Sequence, residues 1–324
     1  MQQVLITGGC GFLGSNLINH LTVTYPDCQF HNFDRLDYCA SRDNVMDHPN
    51  HHFYHGDIND SNFVMHILTY FQIDIIIHLA AQTHVDHSFD NSLQYTIDNV
   101  QGTHCLLDCA KRYGRIRRFI HMSTDEVYGE VSKDHPGCHE NSILNPTNPY
   151  AATKAAAEML VNSYWRSYQL PVIIIRANNM FGPRQYPEKL IPKFIQNLLR
   201  GENMSIHGNG ETRRNFIHVD DVVRAIDIII AKGDVGEIYN IGYENEYSVL
   251  EISRLLHEMM EIQRPWEDCV VFVQDRPFND FRYSVNPTKL QQLGWNAVHD
   301  DFREDLKKTV EWYQSRSATA ATLG

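Results

Sequence analysis

Short apolar runs recur along the chain as "VLIT" at 4–7, "FHNFD" at 30–34, "HFYHGD" at 52–57, "IDIIIHLA" at 73–80, "RFIHMST" at 118–124 and "PVIIIRA" at 171–177. Several are continuous rather than alternating, which is the pattern of strands buried on both faces of a parallel sheet. Amphipathic stretches separate them, so strand and helix alternate and the first half of the chain predicts a doubly wound α/β domain. After about residue 176 the pattern loosens into "NNMFGPRQYPEKLIP" and "SIHGNGETRRNF", then shorter elements up to "FREDLKKTVEWYQ". This predicts a sheet domain over 1–175, with 216–245 ("HVDDVVRAIDIIIAKG" and "EIYNIG") returning to it, and a smaller mixed α/β lobe over 176–316. The residues 317–324, "SATAATLG", read as a frayed tail.

Charge narrows the functional classes. The 28 Lys+Arg against 40 Asp+Glu of this 324-residue chain leave a net −12 without any basic run, which disfavours binding to a nucleic-acid backbone. No stretch has the length and apolarity of a membrane span, and "MQQVLITGG" lacks the features of a signal peptide, so a cytosolic protein is expected. Seven cysteines without a Cys-x-x-Cys pair fit reduced thiols. His48, His51, His52 and His55 cluster, but no partner set completes a coordination shell, and no metal is expected.

"TGGCGFLG" lies between the first strand and a helix and places Gly8, Gly11 and Gly14 at G-x-x-G-x-x-G spacing, with Phe12 and Leu13 opening the helix. Glycines allow the tight turn and let a pyrophosphate approach free N–H groups at the helix start, which predicts dinucleotide binding. Asp34 ends the second strand, where a carboxylate accepts from ribose hydroxyls and repels a 2′-phosphate, so NAD is expected over NADP. Asp57 and Ile58 close the third strand at the expected adenine position. Leu79, Ala80 and Ala81 close the fourth with small residues that let backbone approach the cofactor.

Two further motifs carry acid–base chemistry. "YAATK" puts Tyr150 and Lys154 four residues apart on one helix face, where an ammonium can lower the pKa of a phenol. "STDEVYG" sets Asp125 and Glu126 side by side after Thr124 at the end of a buried strand, more carboxylate than hydride transfer alone requires. Together with "TGGCGFLG", these motifs resemble the extended short-chain dehydrogenase/reductase family, specifically its nucleotide-sugar 4,6-dehydratases, over roughly residues 2–315. The resemblance implies a Rossmann-type NAD-binding domain and a definite division of labour. Tyr150, assisted by Lys154 and Thr124, takes the proton of the sugar 4-hydroxyl during oxidation at C4. Glu126 removes the C5 proton, and Asp125 in its protonated form delivers a proton to the departing 6-hydroxyl.

The same resemblance assigns the substrate end. It implies Asn178 near the diphosphate, Asn179 near the cofactor, Lys189, Leu190, Arg214, Arg276 and Asn279 around the nucleotide diphosphate and sugar, His207 near the base and Thr83 at the mouth. Arg213 reads as a surface cation, and His84 and His87 as structural. "AAQTHVD", "ANNMFGP", "YPEKLIPKF" and "DRPFND" look like the dehydratase part of plant UDP-rhamnose synthases rather than the bacterial dTDP-glucose branch, so UDP-glucose is the expected substrate and dTDP-glucose the alternative. A UDP-sugar 4-epimerase and a catalytically silent NAD-binding protein are the remaining readings. The family implies a homodimer through the helices of 92–114 and 149–168, and no fused epimerase/reductase follows in this chain, so a separate enzyme is expected to complete a rhamnose pathway.

Overall fold

In a computed structural model, residues 2–322 are described, with side chains to 317. Six strands, β1 (Gln3–Thr7), β2 (Gln29–Asp34), β3 (His51–His55), β4 (Ile75–His78), β5 (Arg118–Thr124) and β6 (Val172–Ala177), occupy the stretches read as apolar runs. Three more, β7 (Asn179–Phe181), β8 (Met204–His207) and β9 (Arg213–His218), precede β10 (Ile238–Ile241), which returns to pair with β6. The resulting seven-stranded sheet has the order β10-β6-β5-β4-β1-β2-β3 with every pairing parallel. The order reverses between β1 and β4, and ligands bind such sheets in the crevice outside the carboxyl ends of the strands.

Successive side chains of the strands feed opposite layers, as the two-residue period of a strand requires. Val4, Ile6, Ile75, Ile77, Ile173 and Ile175 pack beneath α1 (Phe12–Thr24), while Leu5, Ile76, Val172 and Ile174 pack beneath α2 (Ser61–Tyr70) on the other face. Two short helices, α3 (Val85–Asp90) and α4 (Ser92–Tyr95), lead through a π-helical turn, Thr96–Gln101, into α5 (Gly102–Tyr113). The turn matters because it buries Asp98 and Asn99, and such turns are frequent at functional sites.

Helix α6 (Pro149–Tyr168) starts sharply because Asn148 caps it, its Oδ1 accepting from Ala151 N at 2.8 Å, with proline at the first helical position. Beyond β6 the chain builds a second core from α7 (Leu190–Leu199), β8 and, after β9 and α8 (Val219–Lys232), from β11 (Glu246–Ser248), α9 (Val249–Met259) and β12 (Val270–Val273). Helix α10 (Thr288–Gln292) touches the main core through Leu290, and α11 (Phe302–Thr322) closes the second through Phe302, Leu306 and Val310. The backbone of α11 runs to Thr322, so 317–322 continue a helix where a frayed tail was expected; 323–324 lie outside the described residues. Among the described residues no helix is long and apolar enough to cross a membrane.

Candidate active site

A cavity of about 440 Å³ opens at the carboxyl edge of the sheet, against the second core. Every residue expected at the site from sequence lines it, from Gly8, Gly11, Phe12, Leu13 and Gly14 to Arg276 and Asn279.

The three glycines serve different ends. Gly8 has φ +72°, and a Cβ there would stand 2.7 Å from Ala80 N; one on Gly14 would stand 2.2 Å from Gly8 O. These two are required by the chain itself. A Cβ on Gly11 would meet nothing closer than Gly8 O at 3.4 Å and would point into space the cavity needs. Gly11 also caps α1 without any side-chain bond, and the first turn holds no acidic residue, so its N–H groups suit an anion. Asp34 is buried, which pushes its carboxyl pKa up against the N–H bonds of Leu36 (2.7 Å) and Cys10 (2.9 Å). Hydroxyl donors from a ribose would favour its ionised form. Ser123 Oγ, buried and without a protein partner, also lines the cavity. Asp57 and Ile58 follow β3 on one wall, and Leu79, Ala80 and Ala81 follow β4; Asn179 opens β7 opposite. Glycine cradle, ribose acid and orphan hydroxyl together fit NAD.

The chemical centre is assembled where β5 runs into a single 3₁₀ turn, Asp125–Tyr128. Thr124 Oγ1 donates to Asp125 Oδ1 at 3.2 Å and accepts from Glu126 N at 3.3 Å. Asn178 holds the other Asp125 oxygen at 2.7 Å, and Asn148 holds Glu126 Oε2 at 3.0 Å. Burial, then the Glu126 charge, raise the Asp125 carboxyl to about 7. Burial raises Glu126 as well, while the Asn148 bond and the Arg214 charge oppose it. Asp125 therefore keeps its proton toward neutral pH, held there by burial and by the charge of its Glu126 neighbour.

Tyr150 and Lys154 both reach the cavity from α6, but not in the electrostatic relation expected. Burial and the Glu126 charge push the Tyr150 phenol up, with Thr124 pulling the other way, so no lowering of its pKa is seen. Lys154 Nζ is taken by Met122 O at 2.6 Å, and burial lowers its ammonium to about 8. The cause is competition from a strand-end carbonyl and two carboxylates that sequence spacing does not reveal.

At the substrate end Asn178 departs from expectation. Its amide is occupied by Asp125 and by Tyr243 N (3.2 Å), so it orients the acid rather than presenting itself to a diphosphate. Lys189, buried enough to lower its pKa, donates to Thr83 O at 2.6 Å, and Leu190 opens α7 beside it. Arg214 donates to the carbonyls of Arg213 and Asp280, both at 2.8 Å, and lies 4.6 Å over the Tyr283 ring. Arg276 is paired with Asp86 (Nε–Oδ1 2.5 Å), Asn279 donates to Asp275 at 2.9 Å, and His207 ends β8 with Nδ1 unpartnered. Arg213 turns instead to Glu246 and Glu251. Sequence reading missed Arg35, Asp98, Asn148 and Phe278, all of them on the cavity wall. Only Asn148 had a readable signal, as a cap before proline, and that signal said nothing of Glu126.

A nucleotide cradle at the switch of a parallel sheet, joined to a tyrosine–lysine helix, defines an NAD-binding protein of the short-chain dehydrogenase/reductase type, here with an acid–base pair added. The family model described as GDP-mannose 4,6 dehydratase matches residues 5–309, and the chain belongs to that family. Relatives of this chain are named as UDP-glucose or dTDP-D-glucose 4,6-dehydratases. The chain is 48% identical over 316 residues to an Arabidopsis thaliana trifunctional UDP-glucose 4,6-dehydratase, UDP-4-keto-6-deoxy-D-glucose 3,5-epimerase and UDP-4-keto-L-rhamnose-reductase, covering 96% of this chain and 47% of that protein. The chain thus spans about half the length of this relative. A dTDP-D-glucose 4,6-dehydratase of Mus musculus is 46% identical, with 97% and 89% covered. The crystal structure of a Streptomyces venezuelae dTDP-glucose 4,6-dehydratase with NAD bound superimposes at a TM-score of 0.93, with 38% identity and 98% of both chains covered.

Proposed function

We propose that this enzyme dehydrates UDP-glucose to UDP-4-keto-6-deoxyglucose. The observation that carries the dehydratase chemistry is the pair of buried Asp125 and half-buried Glu126, Asp125 held near pKa 7, in the cavity that also receives Tyr150. The glycine cradle, Asp34 and Ser123 would hold NAD, which would supply reversible hydride transfer, from C4 and back to C6. Tyr150 would accept the 4-hydroxyl proton as its phenolate, an ionisation opposed by burial and Glu126 and favoured by the positive charge NAD⁺ brings when bound, with Thr124 and Lys154 orienting the site. The 4-ketone acidifies C5, whose proton Glu126 removes, while Asp125 protonates the 6-hydroxyl so that it leaves as water. Glu126 then returns a proton to C5, and the proton gained by Tyr150 balances the one Asp125 has lost.

Lys189, Arg214 and Arg276 supply positive charge around a diphosphate, Leu190 and Thr83 flank the sugar, and His207 with the half-exposed Phe278 stands at the base end. Uridine is favoured by "AAQTHVD", "YPEKLIPKF" and "DRPFND" and by the likeness to the plant enzyme. Thymidine is the second reading, supported by the likeness to the mouse enzyme; one methyl separates the bases, worth about 1–3 kcal/mol in a pocket. The product suits a following 3,5-epimerisation and reduction. A homodimer through α4, α5 and α6 is supported by Leu93, Ile97 and Met159, which stand exposed along these helices.

Incubation with UDP-glucose in deuterated water, followed by mass spectrometry and proton NMR, tests this reading. Loss of one water with deuterium at C5 is the expected result, faster than with dTDP-glucose. Intact hexose inverted at C4 assigns the chain to the epimerases, and no turnover assigns it to silent binding.

A further inference from the structure

Arg35 follows Asp34 directly and lines the same end of the cavity. Three carboxylates hold its guanidinium. Nη1 and Nη2 grip both Asp98 oxygens, at 2.8 and 2.7 Å; Nη2 also donates to Asp37 at 2.7 Å, and Nη1 reaches Asp57 at 3.3 Å. The three are not equal. The Asp98 side chain is 5% exposed, against 36% for Asp37 and 40% for Asp57, and a buried two-pronged pair outweighs half-solvated single contacts.

Asp98 is itself fixed. It sits in the π-helical turn, where Gln94 donates to its Oδ1 at 3.0 Å and Gln82 to its Oδ2 at 3.1 Å. Its neighbour Asn99 pins the turn to the end of β4, accepting from Gln82 N at 2.7 Å and donating to Gln82 O at 3.0 Å.

An arginine beside the ribose-binding acid is the group that accommodates a 2′-phosphate in dinucleotide folds, since its planar fork matches phosphate oxygens. This protein carries such an arginine but keeps it engaged elsewhere. We propose that Asp98 is a specificity-determining residue that withholds Arg35 from a 2′-phosphate. Selectivity for NAD over NADP then rests on two carboxylates, Asp34 by repulsion and Asp98 by sequestration. The inference rests on this end of the cavity being the adenosine-ribose site.

The test measures NAD⁺ and NADP⁺ affinity by equilibrium dialysis and by ligand-induced rise in melting temperature, which needs no turnover. It compares the full-length wild type with Asp34→Ser, Asp34→Ser/Arg35→Gln and Asp34→Ser/Asp98→Asn. Removing the Asp34 charge should raise NADP⁺ affinity. Adding Arg35→Gln should leave that affinity unchanged, because the guanidinium is not free to contribute. Adding Asp98→Asn instead should raise it by about tenfold, the value of one charge-assisted hydrogen bond, with far less change for NAD⁺. The proposal is overturned if Arg35→Gln lowers NADP⁺ affinity in the Asp34→Ser background, or if a folded Asp98→Asn protein that binds NAD⁺ gains nothing. Should the Asp98 variant not fold, the Arg35 comparison decides alone. Absence of NAD⁺ binding to the wild type would overturn both the cofactor site and this inference.

Discussion

Asn178 bridges two parts of the chain far apart in sequence: its Nδ2 donates to Asp125 Oδ2 at 2.7 Å while its Oδ1 accepts from Tyr243 N at 3.2 Å. The bond to Asp125 favours the ionised carboxylate and so restrains the upward pull of burial. Asn178→Ala removes that restraint. The alkaline limb of kcat/KM, where Asp125 loses its proton, should move up by about one pH unit, the equivalent of one hydrogen bond to a charged group. A pH–rate profile of both proteins checks it; an unmoved limb would mean that Asn178 does not govern this titration.

The two carboxylates should separate in a solvent-exchange experiment. Glu126→Gln is expected to abolish both deuterium entry at C5 and product formation. Asp125→Asn should retain C5 exchange yet keep the 6-hydroxyl, with dehydration slowed about 10²–10⁴-fold, the usual worth of a positioned acid. Proton NMR of the recovered sugar reads both positions. The reverse pattern would exchange the two roles.

Asp125 also has a cost in stability. Below its ordinary pKa of 3.8 the carboxyl is protonated in folded and unfolded chains alike, and ionisation takes nothing from the fold. Between 3.8 and about 7 the unfolded chain releases the proton while the folded one keeps it, so stability falls as pH rises; above that range the deficit is constant. Asp125→Asn should therefore be more stable than wild type by ~2–4 kcal/mol at pH 8. Urea unfolding should show the advantage shrinking toward pH 4.

The glycine loop gives a paired prediction. Gly14→Ala forces a Cβ to 2.2 Å from Gly8 O and should lower the melting temperature with or without nucleotide. Gly11→Ala meets only a 3.4 Å contact. It should melt like wild type when free and lose most of the stabilisation that NAD⁺ confers. Equal melting of the two free variants would contradict the division between chain-required and ligand-required glycines.

How much of this was legible in sequence follows from the range of the interactions involved. The six early strands lie where apolar runs fall, most plainly in β1, β4 and β6, whose burial on both faces keeps nearly every position apolar. The cradle, Thr124–Glu126 and Tyr150–Lys154 are local patterns whose spacing carries their chemistry. Asn178 on Asp125, Asn148 on Glu126 and Lys154 on Met122 are contacts 53, 22 and 32 residues apart in sequence, and side-chain type alone cannot foretell which partner wins. The π-helical turn was invisible for another reason. One extra residue per turn leaves the composition of 92–113 that of an ordinary amphipathic helix, yet it decides where Asp98 points.

The return of β10 to the main sheet bears on how such an enzyme can be recombined. The chain leaves the sheet core after Ala177, comes back at Ile217, departs again after Ile241 and touches it once more at Leu290 and Trp295 before rejoining the second core at Phe302. The second core is thus threaded through the sheet core rather than appended to it. A chimera joined at one point near residue 177 would carry over a relative's β10 and α8 with its second core, so that a foreign strand pairs with β6 and a foreign helix packs beside α1. Exchange of substrate preference between relatives is accordingly open to point substitution or multiple crossovers, and closed to simple cassette fusion.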